Sequence, residues 1–139
     1  MGKINLGRVI LGGLVAGVVI NVFEYVLNGI VLADQWTDLM KSLNRPALDM
    51  TAIVEFNVFG FVSGLVALWT YAAIRPRFGE GPKTAIYAAL LTWVTVYVLS
   101  DSMPTIMGVF PMPMTSMLIG VGLAEIVLAT LAGAYFYKE

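Results

Sequence analysis

Four apolar stretches, at about 8–32, 51–74, 84–103 and 115–137, alternate along this chain with short polar breaks. Each is close to the roughly 20 residues that a helix needs to cross a bilayer. The breaks carry helix-stopping chemistry. Asn44-Arg45-Pro46 precedes the second stretch, Arg75 to Pro82 separates the second from the third, and Pro104, Pro111 and Pro113 separate the third from the fourth. The pattern predicts an all-α membrane protein in which four transmembrane helices form one bundle. Thr92, Thr95, Ser100 and Asp101 make the third span the least apolar of the four.

The connection between the first two spans has a pattern of its own. In DQWTDLMKSLN, residues Trp36, Leu39, Met40 and Leu43 fall at helical spacing, while Asp38, Lys41 and Ser42 face elsewhere. This predicts a short amphipathic helix lying in the membrane interface, with Asp34 as its N-cap, serving as a tether or as a lid over the bundle mouth. A five-residue likeness, Glu24 to Asn28 against Val96 to Ser100, recurs at an offset of 72. It is compatible with a duplicated hairpin and equally with chance.

The apolar spans are interrupted at regular intervals. In the first, Gly13, Gly17, Asn21, Glu24 and Asn28 follow spacings of four, four, three and four, which puts them on one helical face. Glycines let a neighbouring backbone approach, and the polar residues above them point inward. In the second span Asn57, Gly60, Gly64 and Tyr71 form a comparable stripe, so Asn57 is expected to face Asn21 and Glu24, with Glu55 directed elsewhere. In the fourth, Gly122, Glu125, Ala129 and Gly133 share a face. At a rise of about 1.5 Å per residue, Glu24 lies about 13 Å and Glu125 about 15 Å from the outer interface, against about 6 Å for Glu55. Asp101 is expected near the outer surface and solvated.

Composition agrees with lipid as the solvent. Of 139 residues, 59% are hydrophobic and 12% charged, with a mean hydropathy of +0.86; soluble domains carry about 25% charged residues. A net charge of −1 gives no footprint for nucleic acid. Lys3, Arg8, Arg75, Arg77, Lys83 and Lys138 gather on one side of the predicted membrane, and Lys41 and Arg45 on the other. The positive-inside rule then makes both termini cytoplasmic in a bacterial inner membrane. Trp36, Trp69, Tyr71, Tyr135 and Tyr137 sit near span ends, where interfacial aromatics belong. Lys3 and Arg8 before an apolar run suggest a signal peptide, but the run is about twice the usual signal-peptide length, so it is expected to remain as the first span.

The reactive inventory is small. Without cysteine or histidine there are no disulfides, thiolates, imidazole triads or His-held metals, and neither a cofactor nor an enzyme activity is expected. What remains is carboxylates and amides inside the bilayer. An ionised carboxylate at the bilayer centre costs about 2.5–3.5 kcal/mol on insertion scales. Glu24 and Glu125, with no basic residue at their depth, are therefore expected to keep at least one proton between them. Glu24, Glu125, Asn21, Asn57, Asn28 and Glu55 are the candidate proton- or ligand-binding residues; the opposing possibility is that they hydrogen-bond the helices together. Methionines cluster in DSMPTIMGVFPMPMTSM, and Met112, Met114 and Met117 are the candidates for Cu(I), against a plain apolar connection or an adaptable docking surface.

Tyr25 through Gly29 to Trp36 and Met40 resembles small uncharacterised bacterial four-helix membrane proteins, in which an aromatic-containing span end precedes a Gly and a Trp-containing amphipathic segment. That resemblance implies the architecture and no activity. The lone first-span Glu24 is also similar to that of small multidrug-resistance exporters, from which segment 33–50 and Glu125 depart. The expected functions are a proton-linked carrier or small-solute binder, or a non-catalytic membrane subunit. The expected partners are the lipid bilayer and either further copies of the chain or a larger membrane complex.

Overall fold

A computed structural model describes residues 3–138. Among them all regular structure is helical: α1 (Leu6–Val26) passing into a π-helical turn (Leu27–Val31), α2 (Ala33–Ser42), α3 (Met50–Phe78), α4 (Pro82–Trp93), a second π-helical turn (Val94–Val98), α5 (Leu99–Ile106) and α6 (Met112–Phe136). Four continuous runs, Leu6–Val31, Met50–Phe78, Pro82–Ile106 and Met112–Phe136, are long and apolar enough to cross a membrane.

The ends of these helices follow local chemistry. Asn5 caps α1 by accepting the Arg8 N–H, and Asp49 caps α3 by accepting that of Ala52 at 3.0 Å. Gly79, at a φ of 87°, stops α3. The prolines punctuate less than their positions in the sequence suggest. Pro76 lies inside the last turn of α3 and Pro104 inside α5, so the second and third spans run on to Phe78 and Ile106. Pro111 caps α6 and Pro113 occupies its first turn, where a missing N–H leaves no intrahelical bond unmade. Asp34 does not cap α2, which starts after Leu32; its carboxylate sits in the first turn, where it still complements the helix dipole.

Helix α1 packs against α3 and α6, and α4 packs against the same two. The contacts are close because the residues are small. A β-carbon at Gly13 or Gly17 would strike Leu65 or Phe61 of α3, and one at Gly12 would strike the Gly133 carbonyl of α6. Alanines 16, 67, 72, 85, 88, 89 and 129 fill the centre without separating the helices. On the opposite side of α1, Leu6, Ile10, Leu14, Val18 and Val22 are exposed at every fourth position, a surface that suits lipid and not water.

The Asn5 N–H bonds the Tyr137 hydroxyl at 3.2 Å, so the start of α1 and the end of α6 meet at one end of the molecule. Tyr71 and Tyr137 are buried there in an edge-to-face pair, with ring centroids 5.8 Å apart, rather than standing free as interfacial aromatics. Helix α2 closes the other end. Its Leu39 joins Leu27, Leu32, Met114 and Leu118 in a second, smaller core. Trp36 and Met40 are half-buried and Leu43 is exposed, so the amphipathic stripe packs over its first two turns only. The first ten residues of α3, 50–59, are different again: none is buried, on any side.

Candidate functional site

The backbone prepares the site with two irregularities. Helix α1 widens into a π-helical turn immediately above Glu24, closed by the Leu32 N–H bonding the Leu27 carbonyl at 2.7 Å. The third span widens likewise over Val94–Val98, and Tyr97 lies in that turn. The hydroxyls of Thr92 and Thr95 bond the Ala88 and Leu91 carbonyls just before it. Such back-bonding bends helices, and a β-branched run follows here. Extra-wide turns of this kind are often found at functional sites.

Glu125, near the middle of α6, is fully buried. Its Oε1 accepts a hydrogen bond from the Tyr97 hydroxyl at 2.5 Å. The ring of Tyr97 lies over Gly122, one turn away on α6, where a β-carbon would collide with it. One face of α6 therefore both makes room for the phenol and receives its hydrogen. The Glu125 Oε2 is buried and has no hydrogen-bond partner.

The Glu24 carboxyl of α1 lies within hydrogen-bonding reach of that of Glu125. Its Oε2 accepts from the Asn28 Nδ2 at 2.5 Å, and the Asn28 Oδ1 accepts from the Trp36 indole N–H at 2.9 Å. Two hydrogen-bonded arms, Trp36–Asn28–Glu24 and Tyr97–Glu125, thus converge on the two carboxyls from α2 and from the third span. Asp101 on α5, expected to be solvated, is half-buried and in electrostatic range of Glu24 and Tyr97. Among the described residues no basic side chain acts on Glu24 or Glu125, and the hydrogen-bond donors to the two carboxyls are neutral. Among the described residues, no group of three or more acidic side chains has the spacing to hold a metal ion.

The remaining candidates separate from this cluster. The Asn21 Nδ2 donates to the Asn57 backbone carbonyl at 3.1 Å, and its Oδ1 lies over Gly60, so Asn21 joins α1 to α3. The Asn57 side chain does not face Asn21 and Glu24; its amide turns back to the Ile53 carbonyl of its own helix at 2.7 Å. Glu55 is exposed on the uncovered start of α3. Met114 is buried in the smaller core while Met112 and Met117 are exposed, so the three methionines do not share one environment. Buried Thr92, Thr115 and Thr130 bond carbonyls one turn back on their own helices.

Sequence reasoning missed Tyr97, Trp36 and Gly122 as parts of the site. The signal for Tyr97 and Gly122 was present: a small residue one turn before an intramembrane glutamate leaves space for a large side chain from a neighbouring helix.

Four membrane-length apolar helices with an apolar outer surface mark a multi-pass membrane protein. No protein-family model, curated protein or solved structure matches the chain.

Proposed function

We propose that this chain is a four-helix bundle of the bacterial inner membrane, with both termini in the cytoplasm. In this reading the Glu24–Glu125 carboxyl pair is a proton or small-cation site serving a proton-linked carrier or small-solute binder. The observation that carries the reading is the Glu125 Oε2, an unpartnered carboxyl oxygen sealed in the protein beside a second carboxyl. Helix glue does not need it. An amide at position 125 would hold the helices together without a charge to bury, at a saving of about 2.5–3.5 kcal/mol.

The basic residues cluster at the end where the chain termini meet, which makes that end cytoplasmic and puts α2 in the outer interface. The carboxyl pair then lies in the outer half of the bilayer. Asn28 and Tyr97 orient the two carboxyls, Trp36 fixes Asn28, and the half-buried Glu24 is the less enclosed member of the pair. Asn21 belongs to the α1–α3 contact and not to the site. No step of bond chemistry is assigned to these groups, so the reading is non-enzymatic.

The test is proton movement in reconstituted vesicles. Candidate amines or cations are added to wild type, Glu24→Gln and Glu125→Gln, and internal pH is followed with a trapped dye. Proton flux that disappears in both variants supports a carrier. Equal flux in all three removes it.

A second reading rests on residues 50–59 of α3, which bear Glu55 and Asn57 on a helical segment in which no residue is buried by the described chain. In that reading the protein is a non-catalytic subunit, or associates with further copies of itself, and α3 is the docking element. Recovery in fixed stoichiometry with a partner from mild detergent, abolished by Glu55→Leu, would favour it over the carrier.

A further inference from the structure

We propose that the Glu24–Glu125 pair holds a single bridging proton and does not accept a bare metal cation. This rests on the pair being a binding site, and it names the occupant.

The argument is a count of hydrogens and lone pairs. Two carboxyls offer four oxygens. Glu125 Oε1 is taken by the Tyr97 O–H and Glu24 Oε2 by the Asn28 N–H. The amide cannot reverse to offer its oxygen instead. Its Oδ1 is held by the Trp36 indole, which has a hydrogen to give and no lone pair to receive one. Both ends of the network therefore donate inward. Two oxygens remain, one on each carboxyl, and the Glu125 Oε2 has no donor. The carboxyls are within hydrogen-bonding reach of one another, so one hydrogen between them completes the set.

A metal would need the opposite arrangement. Calcium takes 6–8 oxygen ligands and magnesium six in near-octahedral order. Here the neutral neighbours present hydrogens, which repel a cation and solvate an anion. The third carboxyl, Asp101, faces Glu24 and Tyr97 but does not complete a metal-spaced group. The charged and titratable groups facing the pair are Tyr97 and Asp101 from the third span. None on α2 or α3 acts on it. Release breaks the O–H bond through the half-buried Glu24 rather than the sealed Glu125, hands the proton to a water molecule that reaches Glu24, and takes the pair from one negative charge to two; uptake is the reverse.

Infrared difference spectroscopy on the protein in lipid reads this directly. The expected result is one protonated-carboxyl band, shifted in heavy water, lost in both Glu24→Gln and Glu125→Gln, and moved in frequency but retained in Tyr97→Phe. Acid–base titration of the same samples should return one proton per chain from this pair. Sodium, potassium, magnesium or calcium added to wild type should neither erase the band nor release the proton, a measurement that depends on no variant folding. Stoichiometric proton release on adding any of these metals would overturn the proposal, as would two protons per pair or a band that survives Glu125→Gln. A band obeying every expectation in a protein that moves no protons across vesicles would support this assignment while removing the carrier reading.

Discussion

Gly64 of α3 and Gly17 of α1 meet backbone to backbone: a β-carbon at Gly64 would come within 2.6 Å of the Gly17 nitrogen. The close approach of α1 and α3 depends on that missing atom. Gly64→Val should force α1 and α3 apart and lower stability by about 1–3 kcal/mol, as overpacking does elsewhere. Gly120→Val, at a site on α6 with nothing within 4 Å, is the control and should change little. Unfolding in mixed micelles, with resistance to a denaturing detergent as the readout, compares the two.

Tyr97→Phe removes the donor to Glu125 Oε1 and leaves that buried oxygen without a hydrogen bond. The expected loss is about 1–3 kcal/mol, the cost of stranding a buried polar group. Combining it with Glu125→Leu should cost less than the two single losses added, because the stranded group is gone. A double-mutant cycle on unfolding free energies measures the difference; strict additivity would mean the two side chains are not coupled.

The two intramembrane asparagines should behave unequally. Asn21→Leu cuts a bond between α1 and α3 and should cost about 0.6–1.7 kcal/mol, the range for hydrogen bonds between membrane helices. Asn57→Leu removes only a bond within α3 and should lie near zero or stabilise an exposed apolar helix. Equal losses would show that the Asn57 amide also crosses between helices.

Met114 fills the smaller core, whereas Met112 projects from it. Met114→Ala should lose about 2–5 kcal/mol and Met112→Ala almost nothing. With Met114 packed in the core and Met112 and Met117 exposed, Cu(I) titration of the purified protein should show no stoichiometric binding that depends on Met112, Met114 and Met117 together.

Natural absence of cysteine makes sidedness simple to measure. A cysteine replacing Ser42, the last residue of α2, should react with an impermeant thiol reagent from outside intact cells. One replacing Gly79, after α3, should react only once the membrane is opened. The reverse result would invert the orientation drawn from the basic residues.

Spans were legible in the sequence because a bilayer demands a long apolar run, and such a run is hard to disguise. The face of α1 that carries Gly13, Gly17, Asn21 and Glu24 was legible for the related reason that small and polar residues inside a span must be covered. What each polar residue meets was not. Asn57 shares a stripe with Gly60 and Gly64, yet its amide bonds its own helix, because α3 is uncovered from that level upward. Tyr97 read as one residue of an apolar run because a π-helical turn places it, and neither that turn nor the one after Glu24 leaves a mark in a period of 3.6. For the same reason the suggested repeat at an offset of 72 does not align the two turns, which begin at Leu27 and Val94.

Each π-helical turn is one residue more than a regular helix would use, and one residue is worth about 100° of rotation. The extra residue in the third span sets the direction of Tyr97 relative to everything before Val94. The one above Glu24 sets where α2 and Trp36 begin. Deleting a residue from either turn would leave four spans of ordinary length and hydrophobicity, recognisable by every criterion of composition. It would also swing one partner out of the network. The alignment of Trp36 and Tyr97 with the two glutamates thus depends on two slips in the helical count, and a chain without them would keep its spans and lose that alignment.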